Sequence, residues 1–366
     1  MTTERRRFIA SAGGVVAAAA AAAIVDAPNV IAQPKFQWRM VTTWPKGLAT
    51  LHGAAVRFSQ LVEKMSDGRL KVQVYAGGEL VPPLQSFDAV TGGTVEMAHS
   101  AAYYWAGKTP ACQWFGAVPF GLSSQGMNAW FYEGGGIKLW EEVYAPFGLT
   151  ARPCGNTGTQ MAGWFKKRIN TIDDYKGLKM RIPGLGGKVV AKAGGTVVLL
   201  AGGEIFPALE RGVIDATEWV GPEDDLKLGL HNAARNYYYP GWHEPGTVEE
   251  AFFSKKAYDP LPADLKHIVD FACQANNAHV LADYNVRNAQ GLHKIVTEMK
   301  GKVDVLQLPD GVLKALKPLA EATLEEEAGK DPTAKKVHEA FKKFRALYNE
   351  WDKVSENPYQ RLIASV

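Results

Sequence analysis

Four stretches of the 366-residue chain concentrate side chains that could do chemistry. "DATEWVGPEDD" (215–225) sets Glu218 beside Trp219, after a short apolar run and before a Gly-Pro turn. "CGNTGTQMAGWF" (154–165) holds Asn156 and Gln160 in a Gly/Thr-rich approach to an apolar strand. "LKMRIPG" (178–184) ends a short strand on Arg181, and "YYYPGWHEPG" (237–246) places Trp242, His243 and Glu244 before a Pro-Gly turn. Glu218, Glu244 and the Gln160 amide oxygen are ligands of the kind that hard cations such as sodium and calcium take, often together with backbone carbonyls. A guanidinium at a strand end suits bidentate capture of a carboxylate. Each residue also has an ordinary counterpart: a strand-end arginine in a surface ion pair, or acids facing solvent. The acids lie in separate segments, so they do not form an EF-hand loop.

Enzymatic chemistry finds little to stand on. There is no GxSxG elbow, HExxH, Walker loop or dinucleotide fingerprint in context. "GLGGKVVAKAGG" (184–195) follows Arg181-Ile182-Pro183 rather than a clean strand and reads as a Gly-rich turn. His99, His243 and His279 have no evident nucleophile partner. Cys112, Cys154 and Cys273 lack metal-site spacing; spacing leaves open one disulfide with a leftover thiol, or three buried free thiols. A formal net charge of +3 without a dense basic tract argues against nucleic acid as a partner.

The elements that must position these residues are α/β in pattern. "FQWRMVTTW" reads as a strand, Leu51, Ala54, Ala55, Phe58, Leu61, Val62 and Met65 as one buried helix face, and "LKVQVY" as an alternating strand. That order implies a parallel sheet covered by helices. A phrase then recurs: "AGGELVPP" at 76–83 and "AGGEIFP" at 201–207. Each leads into a short helix and then a brief apolar strand carrying an acid, Glu96 in one case and Asp215 in the other, as two similar lobes would. Ligands of such folds bind beyond the carboxyl ends of strands and between domains. The cleft candidates are therefore Tyr103, Tyr104 and Trp105 after the first strand, and Glu218 and Trp219 after the second. Residues 33–155 form mainly one lobe and 156–250 mainly the other, interleaved by crossing segments; 251–366 form a helical portion returning across both. A long helix is expected from Pro262 to about Met299, interrupted at Gly291. The run Glu325-Glu326-Glu327 is expected on a solvated face.

Residues 1–32 read as an export signal: Arg5, Arg6 and Arg7 precede Phe8 and Ile9 and a weakly apolar Ala-rich run, with Val30-Ile31-Ala32 before a cleavage point. No later stretch is apolar enough to span a bilayer, so the expected location is the periplasm, reached by the twin-arginine route without membrane insertion.

The ordered set "AGGELVP", "DAVTGGTVE", the Tyr-Tyr pair, "AVPFGLS", "CGNTGTQMAGWF", "GLKMRIPG", "AGGEIFPALERGVIDATEWVGP" and "YYYPGW" resembles DctP-type substrate-binding subunits of tripartite ATP-independent periplasmic (TRAP) transporters, closest to their 2-oxo-acid-binding branch. The resemblance covers essentially the whole mature chain. It implies a two-lobed periplasmic binding-protein fold with a lobe-spanning helix, not an enzyme, and a homodimer exchanging a C-terminal helix. It also implies a small 2-oxo acid such as pyruvate, delivered to membrane permease subunits. Arg181 would hold the carboxylate, Asn156 and Tyr103 would add hydrogen bonds, and Gln160 and Trp219 would complete the substrate site. A metal ion, sodium or else calcium, would sit on Gln160, Glu218, Glu244 and a main-chain oxygen of Trp219, with Trp219 and Trp242 as an apolar wall. His243, where a second aromatic is expected, and Cys154 depart from the pattern. Two other function classes use the same residues: an exported metal-dependent enzyme acting on carboxylic acids, and a ligand sensor for a signalling receptor.

Overall fold

A computed structural model describes residues 35–363 of the chain. The expected export signal, residues 1–32, lies outside the described residues. Among the described residues, eleven strands form two sheets. The first sheet contains β1 (Phe36–Thr42), β2 (Leu70–Tyr75), β3 (Met97–Ser100), β4 (Leu149–Asn156) and β10 (Val248–Ser254), ordered β2-β1-β3-β10-β4. The second contains β5 (Gly163–Phe165), β6 (Lys179–Arg181), β7 (Thr196–Val198), β8 (Ala216–Thr217), β9 (Asn236–Tyr239) and β11 (Asp304–Gln307), ordered β11-β9-β5-β8-β6-β7.

Each sheet departs from the expected all-parallel arrangement at one strand, and both departures have the same cause. β10 runs antiparallel to β3 and β4, and β5 antiparallel to β8 and β9. These are the strands the chain enters immediately after crossing between sheets, from β4 to β5 and from β9 to β10. Residues 157–162 and 240–247 make the two crossings and pair with each other: Thr157 N–H donates to the Thr247 carbonyl at 2.9 Å, and Gly241 N–H to that of Gln160 at 2.8 Å.

The repeated phrase does the same local work twice. The Glu79 carboxylate accepts from Ala76 N–H at 2.9 Å, and Glu204 from Ala201 N–H at 3.1 Å, closing each turn before a helix. The strands that follow, β3 and β8, hold matching places: each lies between a parallel neighbour and the antiparallel entrant.

The helix Leu51–Met65 buries Leu51, Ala54, Ala55, Phe58 and Val62, while Met65 at its end is exposed. The long helix is a single 36-residue element, Ala263–Glu298, and runs through Gly291. There it needs a residue without a side chain, because a Cβ would stand 2.9 Å from Pro222 Cβ and 3.1 Å from Glu223 N. Its first half holds the first lobe: Asn276 Nδ2 donates to the carbonyls of Ala54 and Cys154 at 3.0 and 2.7 Å. Its second half holds the other: Tyr284 OH donates to Asp224 at 2.6 Å, and Asn288 Oδ1 accepts from Glu223 N–H at 3.1 Å.

The acidic run 325–327 is not wholly solvated. Glu325 and Glu326 are exposed, but Glu327 is buried and paired with Lys188 and Lys330, because the helix Asp310–Ala328 turns that residue onto helix Gly184–Lys192. All three cysteines are buried and free. No helix among the described residues is long and apolar enough to cross a membrane.

Candidate functional site

The site is assembled from strand ends and crossings. β6 and β8 are parallel neighbours with Arg181 opposite Thr217, so the next residue, Glu218, emerges beside the guanidinium. Arg181 is fully buried. Its Nη1 pairs with Glu218 Oε1 and also donates to the Glu218 carbonyl at 3.1 Å; Nε reaches the Leu200 carbonyl at 3.3 Å and Nη2 the Tyr104 hydroxyl at 3.4 Å. The Trp219 ring lies against the guanidinium at 5.1 Å, a cation–π contact inside the protein.

The crossings supply the opposite wall. Glu244 Oε2 accepts from Gln160 Nε2 at 2.8 Å, Thr247 Oγ1 at 2.5 Å and Tyr103 OH at 3.3 Å. The Gln160 amide nitrogen is thus fully used, and its Oε1 is buried without a partner. His243 Nε2 stands 3.5 Å from Glu218 Oε2. One ligand atom from each of Glu218, His243 and Glu244 falls within 4.8 Å of the others.

Electrostatics mark this cluster as incomplete in charge. Burial pushes Glu218 up to about 7 against the pull of Arg181. Burial, then the like charge of Glu218, push Glu244 up to about 7. Burial brings His243 down to about 4, leaving a neutral ring. Two buried carboxyls face a single guanidinium, so one further positive charge would balance them when both are ionised.

Most of the residues singled out by sequence are brought together: Arg181, Glu218, Trp219, Gln160, Glu244 and Tyr103. Asn156 sits buried at the end of β4, with Oδ1 accepting from Gly158 N–H at 2.8 Å and Nδ2 unpartnered; no hydrogen bond among the described residues joins it to the cluster. Trp105 turns away into the core, donating to Glu250 at 2.6 Å. Trp242 is not a wall of the cavity; it stacks on Phe120 at 5.6 Å on the second lobe's side. The wall opposite Trp219 is instead Trp44, edge-on at 6.4 Å, and Tyr104 closes it. Trp44, Thr247 and Glu249 went unnoticed in the sequence because nothing in the local pattern shows which face of a turn or strand meets the cleft.

Comparison with known proteins identifies the family and the fold. The model of bacterial extracellular solute-binding protein, family 7 (DctP) matches residues 40–330. A monocarboxylate 2-oxoacid-binding periplasmic protein of Nostoc sp. is 43% identical over 332 residues, 91% of this chain and 90% of that one. A TRAP transporter solute-binding protein from Bordetella bronchiseptica RB50, a mixed-occupancy dimer with copurified calcium and picolinate bound in one active site, shares the fold at a TM-score of 0.88 and 36% identity, over 91% of this chain and 98% of that one. One from Pseudoalteromonas atlantica T6c, with bound sodium and pyruvate, does so at 0.86 and 38%, over 89% and 99%. The fold is thus shared with these solved structures, and this chain belongs to the DctP family of bacterial extracellular solute-binding proteins.

Proposed function

We propose that this protein is an extracytoplasmic TRAP receptor that closes on a small 2-oxo monocarboxylate, such as pyruvate, through a bridging cation and presents it to a membrane permease. The observation that carries this reading is the placing of Glu218, Glu244 and the unpartnered Gln160 Oε1 against the buried Arg181. Those oxygens fit a hard cation, sodium or calcium, with the Trp219 carbonyl as a further ligand. The ion would supply charge balance and fix the ligand's adjacent carboxylate and carbonyl oxygens. Arg181 keeps Nη2, held only by a 3.4 Å contact to Tyr104, for the carboxylate. The Tyr103 hydroxyl and the unpartnered Asn156 Nδ2 would add hydrogen bonds, and Trp44 and Trp219 would exclude water. Residues 33–155 and 156–250 would act as the two lobes, with 251–366 bracing them after export by the twin-arginine route.

Thermal unfolding of the mature protein with pyruvate, in calcium, sodium and chelated potassium buffers, tests this. A midpoint rise that needs both acid and cation, and is lost in a folded Arg181→Ala variant, is expected. No rise with any 2-oxo acid in ligand-free protein would sink it. The exposed Leu347, Trp351, Val354, Tyr359 and Ile363 support a homodimer through the C-terminal helices. Sedimentation at the mass of one chain at micromolar concentration would refute that dimer.

A further inference from the structure

The cavity between the lobes has a wall that neither the carboxylate-binding nor the cation-binding groups use. Leu51, Ala101 and Val220 make it apolar, and Thr157, Thr247 and Glu249 are its polar members. The threonine protons are committed: Thr157 Oγ1 donates to the Gly158 carbonyl at 2.9 Å, and Thr247 Oγ1 to Glu244 at 2.5 Å. Glu249 is different. Its side chain is 1% exposed, and neither of its carboxyl oxygens has a hydrogen-bond partner.

Two neighbours are shaped around it. Position 155 is glycine, and a Cβ there would stand 2.4 Å from Glu249 Oε2. His99 Nδ1 accepts from Trp44 Nε1 at 2.8 Å, which places the ring proton on Nε2. That nitrogen lies 3.8 Å from Glu249 Oε2, beyond hydrogen-bond reach, and is also unpartnered. A buried carboxyl bare at both oxygens is costly, and such groups persist where something else completes them. Burial holds the Glu249 proton to well above the usual carboxylate range, so the group offers one donor and one acceptor.

We infer that Glu249 sets substrate specificity by hydrogen-bonding a hydroxyl on the ligand's tail, so that the preferred class is the short hydroxylated 2-oxo monocarboxylates rather than those with an all-carbon tail. The inference rests on the receptor reading above. With the carboxylate end at Arg181 and the cation at the crossings, the tail is the part left to face this wall. A hydroxyl matches it in both hydrogen-bonding senses. A second carboxylate on the tail would bury a negative charge against a wall that holds no cation to balance it.

The test is calorimetric titration of the mature, calcium-loaded protein with pyruvate and with 3-hydroxypyruvate, which differ by one hydroxyl. The wild type should bind the hydroxylated acid about tenfold more tightly or better. Glu249→Met should abolish that ratio and Glu249→Gln, which keeps a donor and an acceptor, should restore part of it. Equal affinities in the wild type, a comparison that needs no variant, or a ratio unchanged in Glu249→Met would overturn the inference while pyruvate binding left the receptor standing. Binding of neither acid would overturn both.

Discussion

Lowering the pH from about 7.5 to about 5.5 should weaken cation binding by between one and three orders of magnitude, because the ligands must lose protons that the folded protein holds unusually tightly. Glu218 and Glu244 each stand at about 7. At pH ~7.5 about three quarters of such a group is ionised, and at pH ~5.5 about 3%. The ratio is about 25 for one group and about 600 for two acting independently. Their like charges couple the two steps, so the protons belong to the pair rather than to either residue. His243, down at about 4, stays neutral throughout and does not compete with the cation.

The same shifts give a stability trend of opposite sign without the ion. Both carboxyls are raised from 4.5 when folded, so the folded state holds protons that the unfolded state releases. Their contribution to stability is fully present below about pH 4 and is lost as the pH rises through about 7, at roughly 3 kcal/mol per group. Calcium titrated into chelated protein with saturating pyruvate, in buffers of different ionisation enthalpy, measures both affinity and protons released. Release of about half a proton at pH ~7.5, rising to nearly two at pH ~5.5, and steep weakening on acidification are expected. Affinities at the two pH values that agree within a few-fold, with no proton release, would refute the assignment of these carboxyls as ligands.

Asp224→Asn should weaken ligand binding by about tenfold and shift the scattering profile of the liganded protein toward a more open form, since Asp224 accepts from Thr50 at 2.7 Å and from Tyr284 at 2.6 Å and so ties a loop of one lobe to the long helix and to the other; unchanged affinity would show that this contact is not part of closure. Gly291→Ala should lower the unfolding midpoint by an amount matching about 1–3 kcal/mol, because its Cβ meets Pro222 and the backbone at Glu223 within about 3 Å; a midpoint equal to wild type would mean that the helix–helix approach relaxes freely.

The repeated AGGE phrase led to the right architecture because its meaning is local: a carboxylate three residues on closes a turn wherever it occurs. The strand following each copy, and the residues beyond it, could then be placed by the rule that ligands gather at strand ends. That reasoning located Tyr103, Glu218 and Trp219 together. It failed where facing, rather than position, decides. Trp105 follows Tyr104 directly but turns into the core onto Glu250, while Tyr104 turns to Arg181. Glu249 and Glu250 are both buried acids, one on the cavity and one on Trp105 and Tyr144, at a register irregularity that no alternation in the sequence announces. Glu327 lies in a run of acids that reads as surface until helix Gly184–Lys192 brings Lys188 over it.

The two crossings explain why binding and closure would be one event on the receptor reading. A hinge made of strands alone would leave the ligand-binding residues on the lobes and the flexible residues between them. Here Gln160 and Glu244 sit on the connecting segments, whereas Arg181 and Glu218 sit at strand ends of the second lobe and Tyr103 follows a strand of the first. A cation drawing Gln160, Glu244 and Glu218 together therefore fixes the crossings against one lobe. The hydrogen bond from Tyr103 to Glu244 then carries that arrangement to the other lobe. The ligand needs only to favour the closed arrangement over the open one, and its differential affinity for the two sets how far the population moves. The carboxyl values near 7 fit the same reading: burial, and for Glu244 the like charge of Glu218 as well, favours a proton where a bound ion would otherwise supply the positive charge.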